Sequence, residues 1–170
     1  LTVMDIVPTH HLLDELHQSV AKAYYQWFFL AQPAPFPETL IGADPDYFYQ
    51  SCLLGWGAAK LEQFPANQLQ AYRLAWRNPE TMRGMCEDYR AALIYDFDVD
   101  AMDLDRKLTC PALVLSGADG VMDQMFDMQS VWASRLDDMR HIAVRGGHFF
   151  VDQNPDETLR HLKGFLNSKP

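Results

Sequence analysis

The sequence predicts an α/β protein, a parallel sheet interrupted by a long helical insertion. Three observations carry that reading. Short apolar runs at residues 1–7, 112–116 and about 140–144 lack strict alternation, the pattern of strands covered on both faces. An amphipathic stretch separates the last two runs and another follows the third, so the chain ends strand–helix–strand–helix. Between about Thr9 and Asp100 there is no convincing strand but several helical patterns.

Taken in order, residues 1–7 read as a core strand that carries Asp5 and is closed by Pro8. Residues 12–30 read as a helix, amphipathic at first and apolar all round by 24–30. Gln32-Pro-Ala-Pro-Phe-Pro37 and Gly42-Ala-Asp-Pro45 are turn-rich connectors. Asn78-Pro79-Glu80 starts a helix that places Met82, Met85, Cys86, Tyr89 and Leu93 on one face. After the strand at 112–116, Met125, Met128, Val131, Trp132 and Leu136 form the stripe of a crossover helix. Asn154-Pro155-Asp156-Glu157 is a helix start, with Leu159, Leu162, Phe165 and Leu166 as its apolar face. The expected organisation is a core strand over 1–8, a helical unit over 9–100 and a return to the sheet over 101–170, with no internal repeat or low-complexity tract.

Composition narrows the function classes. The chain has 170 residues, 48% hydrophobic and 22% charged, enough for one compact domain or a large piece of one. Lys22, Gln26 and Gln32 interrupt its greasiest segment, so no run of about 18 apolar residues occurs and no membrane partner is expected. The formal charge of −9, with no basic run, argues against nucleic acid. Cys52, Cys86 and Cys110 form no CxxC pair and sit in apolar surroundings, which reads as three buried thiols in a reducing, cytoplasmic compartment. The chain opens Leu1-Thr2-Val3-Met4, straight into strand-like sequence, so further polypeptide is expected upstream.

Three constellations could carry chemistry. Gly146-Gly147-His148 follows the third strand, where open α/β sheets present their working groups; a loop His held by backbone is the alternative. Asp5, a carboxylate in an apolar run, needs a donor such as an imidazole N–H, unless it merely caps the next turn. Asp119, in Ser116-Gly117-Ala118-Asp119-Gly120, is a rival acid for the same His. The aromatics Tyr24, Tyr25, Trp27, Phe28, Phe29, Trp56, Tyr72, Trp76 and Tyr89 are core in the main, although indole N–H and phenol O–H groups can bind a leaving group in a dry pocket. The other histidines lack HExxH or cysteine partners, so neither a metal nor a cofactor is expected.

Together, Asp5-Ile-Val-Pro-Thr9, Tyr24-Tyr-Gln-Trp-Phe28, Gln32-Pro-Ala-Pro-Phe-Pro-Glu38, Gly42-Ala-Asp-Pro-Asp46, Cys86-Glu-Asp-Tyr-Arg-Ala91 and Gly146-Gly-His-Phe-Phe150 resemble the haloacetate (fluoroacetate) dehalogenases of the α/β-hydrolase superfamily, with epoxide hydrolases as close relatives. The resemblance runs over essentially all 170 residues and matches the carboxyl-terminal part of such an enzyme. It implies a partial α/β-hydrolase fold in which the helical unit is a cap over the active site. It also implies a small-molecule substrate, with a homodimer of the full-length protein as one expected assembly. In that family a nucleophilic Asp displaces halide and forms an ester that a His-activated water hydrolyses. By motif, His148 resembles the water-activating base and Asp5 the acid that orients it, with Asp119 still open as the alternative. Trp27 and Tyr89 resemble donors of the halide pocket.

Two departures stand out. The family commonly has His before the halide-binding Trp, and Gln26 occupies that substrate-binding position here. An amide donates a hydrogen bond but cannot become cationic. Nor does any Gly-x-Asp-x-Gly or Gly-x-Ser-x-Gly elbow occur, so the nucleophile, the substrate-binding arginines and the oxyanion loop are expected upstream of Leu1. Alone, the polypeptide is expected to be inactive, and to aggregate along its bare first strand. An epoxide hydrolase or a non-catalytic helical binding domain are the alternative functions.

Overall fold

The computed structural model describes residues 1–14 and 16–168. Its centre is a parallel sheet of three strands in the order β1 (Thr2–Met4), β2 (Ala112–Gly117), β3 (Met139–Val144), with Val3 opposite Val114 and Leu115 opposite Ile142. Alternation along β2 divides the core. Ala112 and Val114 face a cluster with Val7, Leu12, Val20, Tyr24, Met122 and Met128, whereas Leu113 and Leu115 face Val144 and Phe150. Every residue of β2 is buried, as expected of a strand covered on both faces. On β3 only Val144 is fully buried, so that expectation fails for the outer strand.

The first strand is shorter than the apolar run that announced it. It stops at Met4 because Asp5 adopts a left-handed backbone, φ 48°, and turns the chain out of the sheet. Ile6 is thereby left partly exposed, its carbonyl taking the Trp132 indole N–H at 2.8 Å.

Helices dominate the described residues between 9 and 101. They are α1 (Thr9–Asp14), α2 (Gln18–Ala23), α3 (Tyr25–Leu30), α4 (Phe36–Ala43), α5 (Pro45–Leu54), α6 (Ala66–Trp76), α7 (Pro79–Ala91) and α8 (Phe97–Ala101). The single helix expected over 12–30 is three short ones, broken around Leu16 and at Tyr24, whose φ and ψ of −111° and 34° are not helical. Gly42-Ala-Asp-Pro45 is less of a connector than expected, since α4 runs to Ala43 and Asp44 alone separates it from α5, accepting the Tyr47 N–H as a cap. The predicted start of α7 holds: Asn78 accepts the Glu80 N–H at 2.9 Å, and Met82 and Cys86 are buried. A π turn at Ala92–Asp96 joins α7 to α8.

Beyond β2 the expected crossover helix is split into α9 (Val121–Met125) and α10 (Met128–Ala133). Asp127 causes the break by capping α10, its carboxylate accepting the Ser130 N–H. After β3 come α11 (Phe150–Gln153) and α12 (Pro155–Asn167). Asn154 does not cap α12 as predicted; its amide donates to the Glu157 carboxylate instead. Leu162 and Phe165 pack on the sheet, while Leu159 and Leu166 are exposed. Among the cysteines, Cys52 and Cys86 are buried and all three are free, but Cys110 is exposed because it sits in the connection just ahead of β2. Among the described residues no helix is long and apolar enough to cross a membrane.

Candidate active site

Asp5 and His148 meet at the carboxyl end of the sheet. Asp5 is only 2% exposed. The turn that ends β1 aims its carboxylate sideways across β2, where Oδ1 accepts the Gly117 N–H at 2.7 Å and Oδ2 lies 2.7 Å from His148 Nδ1. A buried carboxylate is tolerable only with donors of this kind, and the pair of bonds satisfies both oxygens. The carboxylate thereby favours the tautomer with hydrogen on Nδ1, which leaves Nε2 as a lone pair without a partner among the described residues. The second acid is elsewhere: Asp119 holds the loop, its Oδ2 taking the Gly146 N–H at 3.2 Å and its own N–H reaching the Gly146 carbonyl. Of the two candidate acids, Asp5 is the one brought to His148.

The His148 loop is wedged between the sheet and the helical unit. A Cβ on Gly117 would collide with the Gly147 carbonyl, and one on Gly147 with the Gly57 carbonyl, so backbone touches backbone across three segments. Gln153 pins the contact from the side. Its Oε1 takes the Gly147 N–H at 2.7 Å, and its Nε2 donates to the Ala58 carbonyl at 3.0 Å. Tyr72 adds a bond from its hydroxyl to Asp152 at 2.9 Å.

Beside this loop the helices enclose an apolar cavity of about 360 Å³, walled by Gln26, Phe48, Tyr49, Cys52, Trp56 and Tyr89 among others. Trp56 connects cavity to histidine: its ring stands edge-on to His148 with centroids 4.6 Å apart. The wall is dry. Burial, foremost, pushes the phenols of Tyr49 and Tyr89 and the thiol of Cys52 above their ordinary values. The Tyr24 phenol rises for the same reason, with the Asp5 carboxylate as second cause. Two polar atoms in the wall lack partners, Gln26 Oε1 and Trp56 Nε1. Tyr49 gives its hydroxyl hydrogen to Met85 Sδ and Tyr72 gives its own to Asp152, which leaves Tyr89 as the cavity phenol without an acceptor among the described residues.

Of the residues singled out in the sequence, Gln26 and Tyr89 line the cavity. Trp27 does not; it stands behind Tyr89, edge to face at 5.1 Å, and packs toward the sheet-side core. Sequence reasoning gave no role to Trp56, Gln153 or Gly117. Trp56 was visible only as one aromatic among many, and nothing local marks Gln153. A His–Asp–Ser group also escaped notice: Ser116 Oγ lies 2.7 Å from both Asp123 Oδ1 and His141 Nε2. The hydroxyl sits between acid and imidazole, so this is a brace joining β2, β3 and α9, with none of the order of a relay. Among the described residues no three His, Cys, Asp or Glu side chains are grouped to hold a metal.

No family model matches the chain. A fluoroacetate dehalogenase from Burkholderia sp is 52% identical over 167 residues, covering 98% of this chain and 55% of that protein. Among solved structures, an α/β hydrolase from Nostoc sp PCC 7120 matches with a TM-score of 0.95 at 38% identity, over 99% of this chain and 58% of the other. An epoxide hydrolase from Pseudomonas aeruginosa matches with a TM-score of 0.86 at 34% identity, over 97% and 55%. The chain therefore spans about half the length of the relatives it matches.

Proposed function

We propose that this chain, a homologue of fluoroacetate dehalogenase with an α/β-hydrolase fold over the stretch it spans, supplies the water-activating pair and the leaving-group pocket of an enzyme that cleaves the carbon–halogen bond of haloacetates. The helical unit over 9–100 acts as the cap. The reading rests above all on the 2.7 Å bond between Asp5 and His148 directly beside a dry aromatic cavity. In the reaction an Asp carboxylate outside these residues attacks the halogen-bearing carbon, the halide leaves with the bonding pair, and an ester remains. His148 Nε2 then takes a proton from water, which attacks the ester, while Asp5 steadies the imidazolium. Tyr89, with its hydroxyl free, and the Gln26 amide donate to the departing halide, with the Trp27 indole behind them.

Gln26 sets the preference among halides. Fluoride is small and strongly hydrated and gains most from a charged donor, so a neutral amide favours chloro- and bromoacetate. The epoxide alternative requires two phenols free to protonate a ring oxygen, and two of the three cavity tyrosines have already committed theirs.

The test is halide release by the chain joined to the part of the Burkholderia relative it does not cover, read with ion-selective electrodes. Chloride and bromide are expected to appear, His148→Asn to stall the protein as a stable ester seen by mass spectrometry, and Gln26→His to gain on fluoroacetate. Absence of halide from all three acids refutes dehalogenation. No gain from Gln26→His refutes the halide argument alone.

A further inference from the structure

Cys52 belongs to the cavity wall and takes no part in the reaction above. It lies in α5, 8% exposed, four residues before Trp56. Two features of the same wall point to a ligand: Gln26, 2% exposed, has an unpartnered Oε1, and the Trp56 N–H is buried with no oxygen or nitrogen to receive it. An apolar aromatic cavity with two unmet polar groups suits a small molecule with a polar end and a short carbon skeleton. If that molecule is an α-halo acid, its α carbon is an electrophile brought next to a sulfur nucleophile, and thiolate sulfur outperforms carboxylate oxygen at such a carbon.

We infer that Cys52 is a covalent capture site for α-halocarbonyl compounds that enter the cavity. Sulfur attacks the α carbon, a C–S bond forms as the C–halogen bond breaks, the halide leaves with the bonding pair, and the thiol proton passes to hydroxide. The product is a thioether, which water cannot cleave as it cleaves the ester of the turnover pathway, so capture fills the cavity permanently. This rests on that part of the proposed function which places an α-halo acid in the cavity.

Two consequences follow from the surroundings of the sulfur. Burial holds the thiol protonated, so capture is slow at neutral pH and accelerates in base. Leaving-group ability orders the reagents as iodo, bromo, chloro, with fluoro inert, so fluorinated substrates spare the protein. Cys86 and Cys110 serve as internal controls. Cys86 is 0% exposed, does not line the cavity, and has a thiol pushed up to about 11 by burial. Cys110 is open to solvent.

The experiment treats the chain, joined to the part of the Burkholderia relative it does not cover, with iodoacetamide at about pH 9 and follows each cysteine of the 170 residues by peptide mass spectrometry. Cys110 is expected to react in linear proportion to reagent. Cys52 is expected to saturate with reagent concentration and, at low reagent, to exceed Cys86 by at least about tenfold. Chloroacetamide reacts more slowly and fluoroacetamide not at all; Cys52→Ala removes the saturable component and leaves the Cys110 rate unchanged. Labelling of Cys52 that is linear in reagent, or no faster than that of Cys86, overturns capture. The two readings fail separately: halide turnover with an unreactive Cys52 sinks capture alone, whereas saturable Cys52 labelling without turnover sinks dehalogenation and supports capture.

Discussion

Replacing Asp5 by Asn exchanges one oxygen for an NH2 group and leaves the backbone turn alone, because Asn tolerates a φ of 48° at least as well as Asp. The amide oxygen keeps the Gly117 N–H, which turns the NH2 toward His148 Nδ1. A donor facing Nδ1 forces the ring hydrogen onto Nε2, the nitrogen that the proposed reaction needs bare. In energy, the variant trades a charge-assisted bond for a neutral one in a site where both are shielded from water, a loss of about 1–2 kcal/mol with no orphaned group. Asp5→Ala loses both bonds and strands the Gly117 N–H, which costs about 3–5 kcal/mol. Urea unfolding should therefore rank the wild type above Asn and Asn above Ala, and two-bond ¹⁵N correlations of His148 should show hydrogen on Nδ1 in the wild type and on Nε2 in the Asn variant. In a protein competent for turnover the wrong tautomer is expected to cost about 10⁴ in ester hydrolysis. An unchanged tautomer, or an Ala variant as stable as Asn, would refute the coupling of these two residues.

The remaining predictions concern how the cavity and its loop are held. Gly147→Ala drives a Cβ into the Gly57 carbonyl, so unfolding measurements should find a loss of about 1–3 kcal/mol, and a neutral result would mean the loop and helical unit can separate freely. Arg90 is 9% exposed and bonds Glu38, Glu87 and the Gln32 carbonyl; Arg90→Met leaves the half-buried Glu38 carboxylate without its cation, an expected loss of about 1–3 kcal/mol that Arg90→Met with Glu38→Gln recovers in part. Asp46 is held at about 2, first by Arg77 and then by the Trp76 indole. With its folded value below the ordinary 3.8, its contribution is complete above about pH 4 and fades as the pH falls through 2; thermal melts should show a shallower acid slope for Asp46→Asn over that window.

What the sequence made legible was whatever a short stretch determines by itself. The run ALVLS reads as a buried strand because every one of its residues is buried, and Asn78-Pro79-Glu80 reads as a helix start because cap, proline and acid act within three positions. The longer stripes misled, since periodicity counts apolar residues and does not register one cap that outbids them: Asp127 divides 125–136, and the non-helical Tyr24 divides 12–30. Asp5 against Asp119 was undecidable along the chain, because both follow parallel strands and both face the same loop. What separates them is a direction in space: the positive φ at Asp5 turns its carboxylate across β2, while Asp119 spends its carboxylate on Gly146.

The same reasoning accounts for Trp56 and Gln153, which no pattern announced. Each serves a contact between segments about 90 residues apart, formed only when the helical unit meets the end of the sheet. Gly117, Gly147 and Gly57 let three backbones touch there, and the side chains next to those glycines do the rest: Phe149 enters the helical core, Trp56 stands against the imidazole, and Gln153 closes the flank. His148 thus has two supports of different kinds, an acid delivered by the sheet and an aromatic wall delivered by the helices. Disturbing the wall should move the ring without changing its tautomer, and disturbing the acid should change the tautomer without moving the wall. Separable supports let the cavity wall change shape while the imidazole keeps its place on the acid.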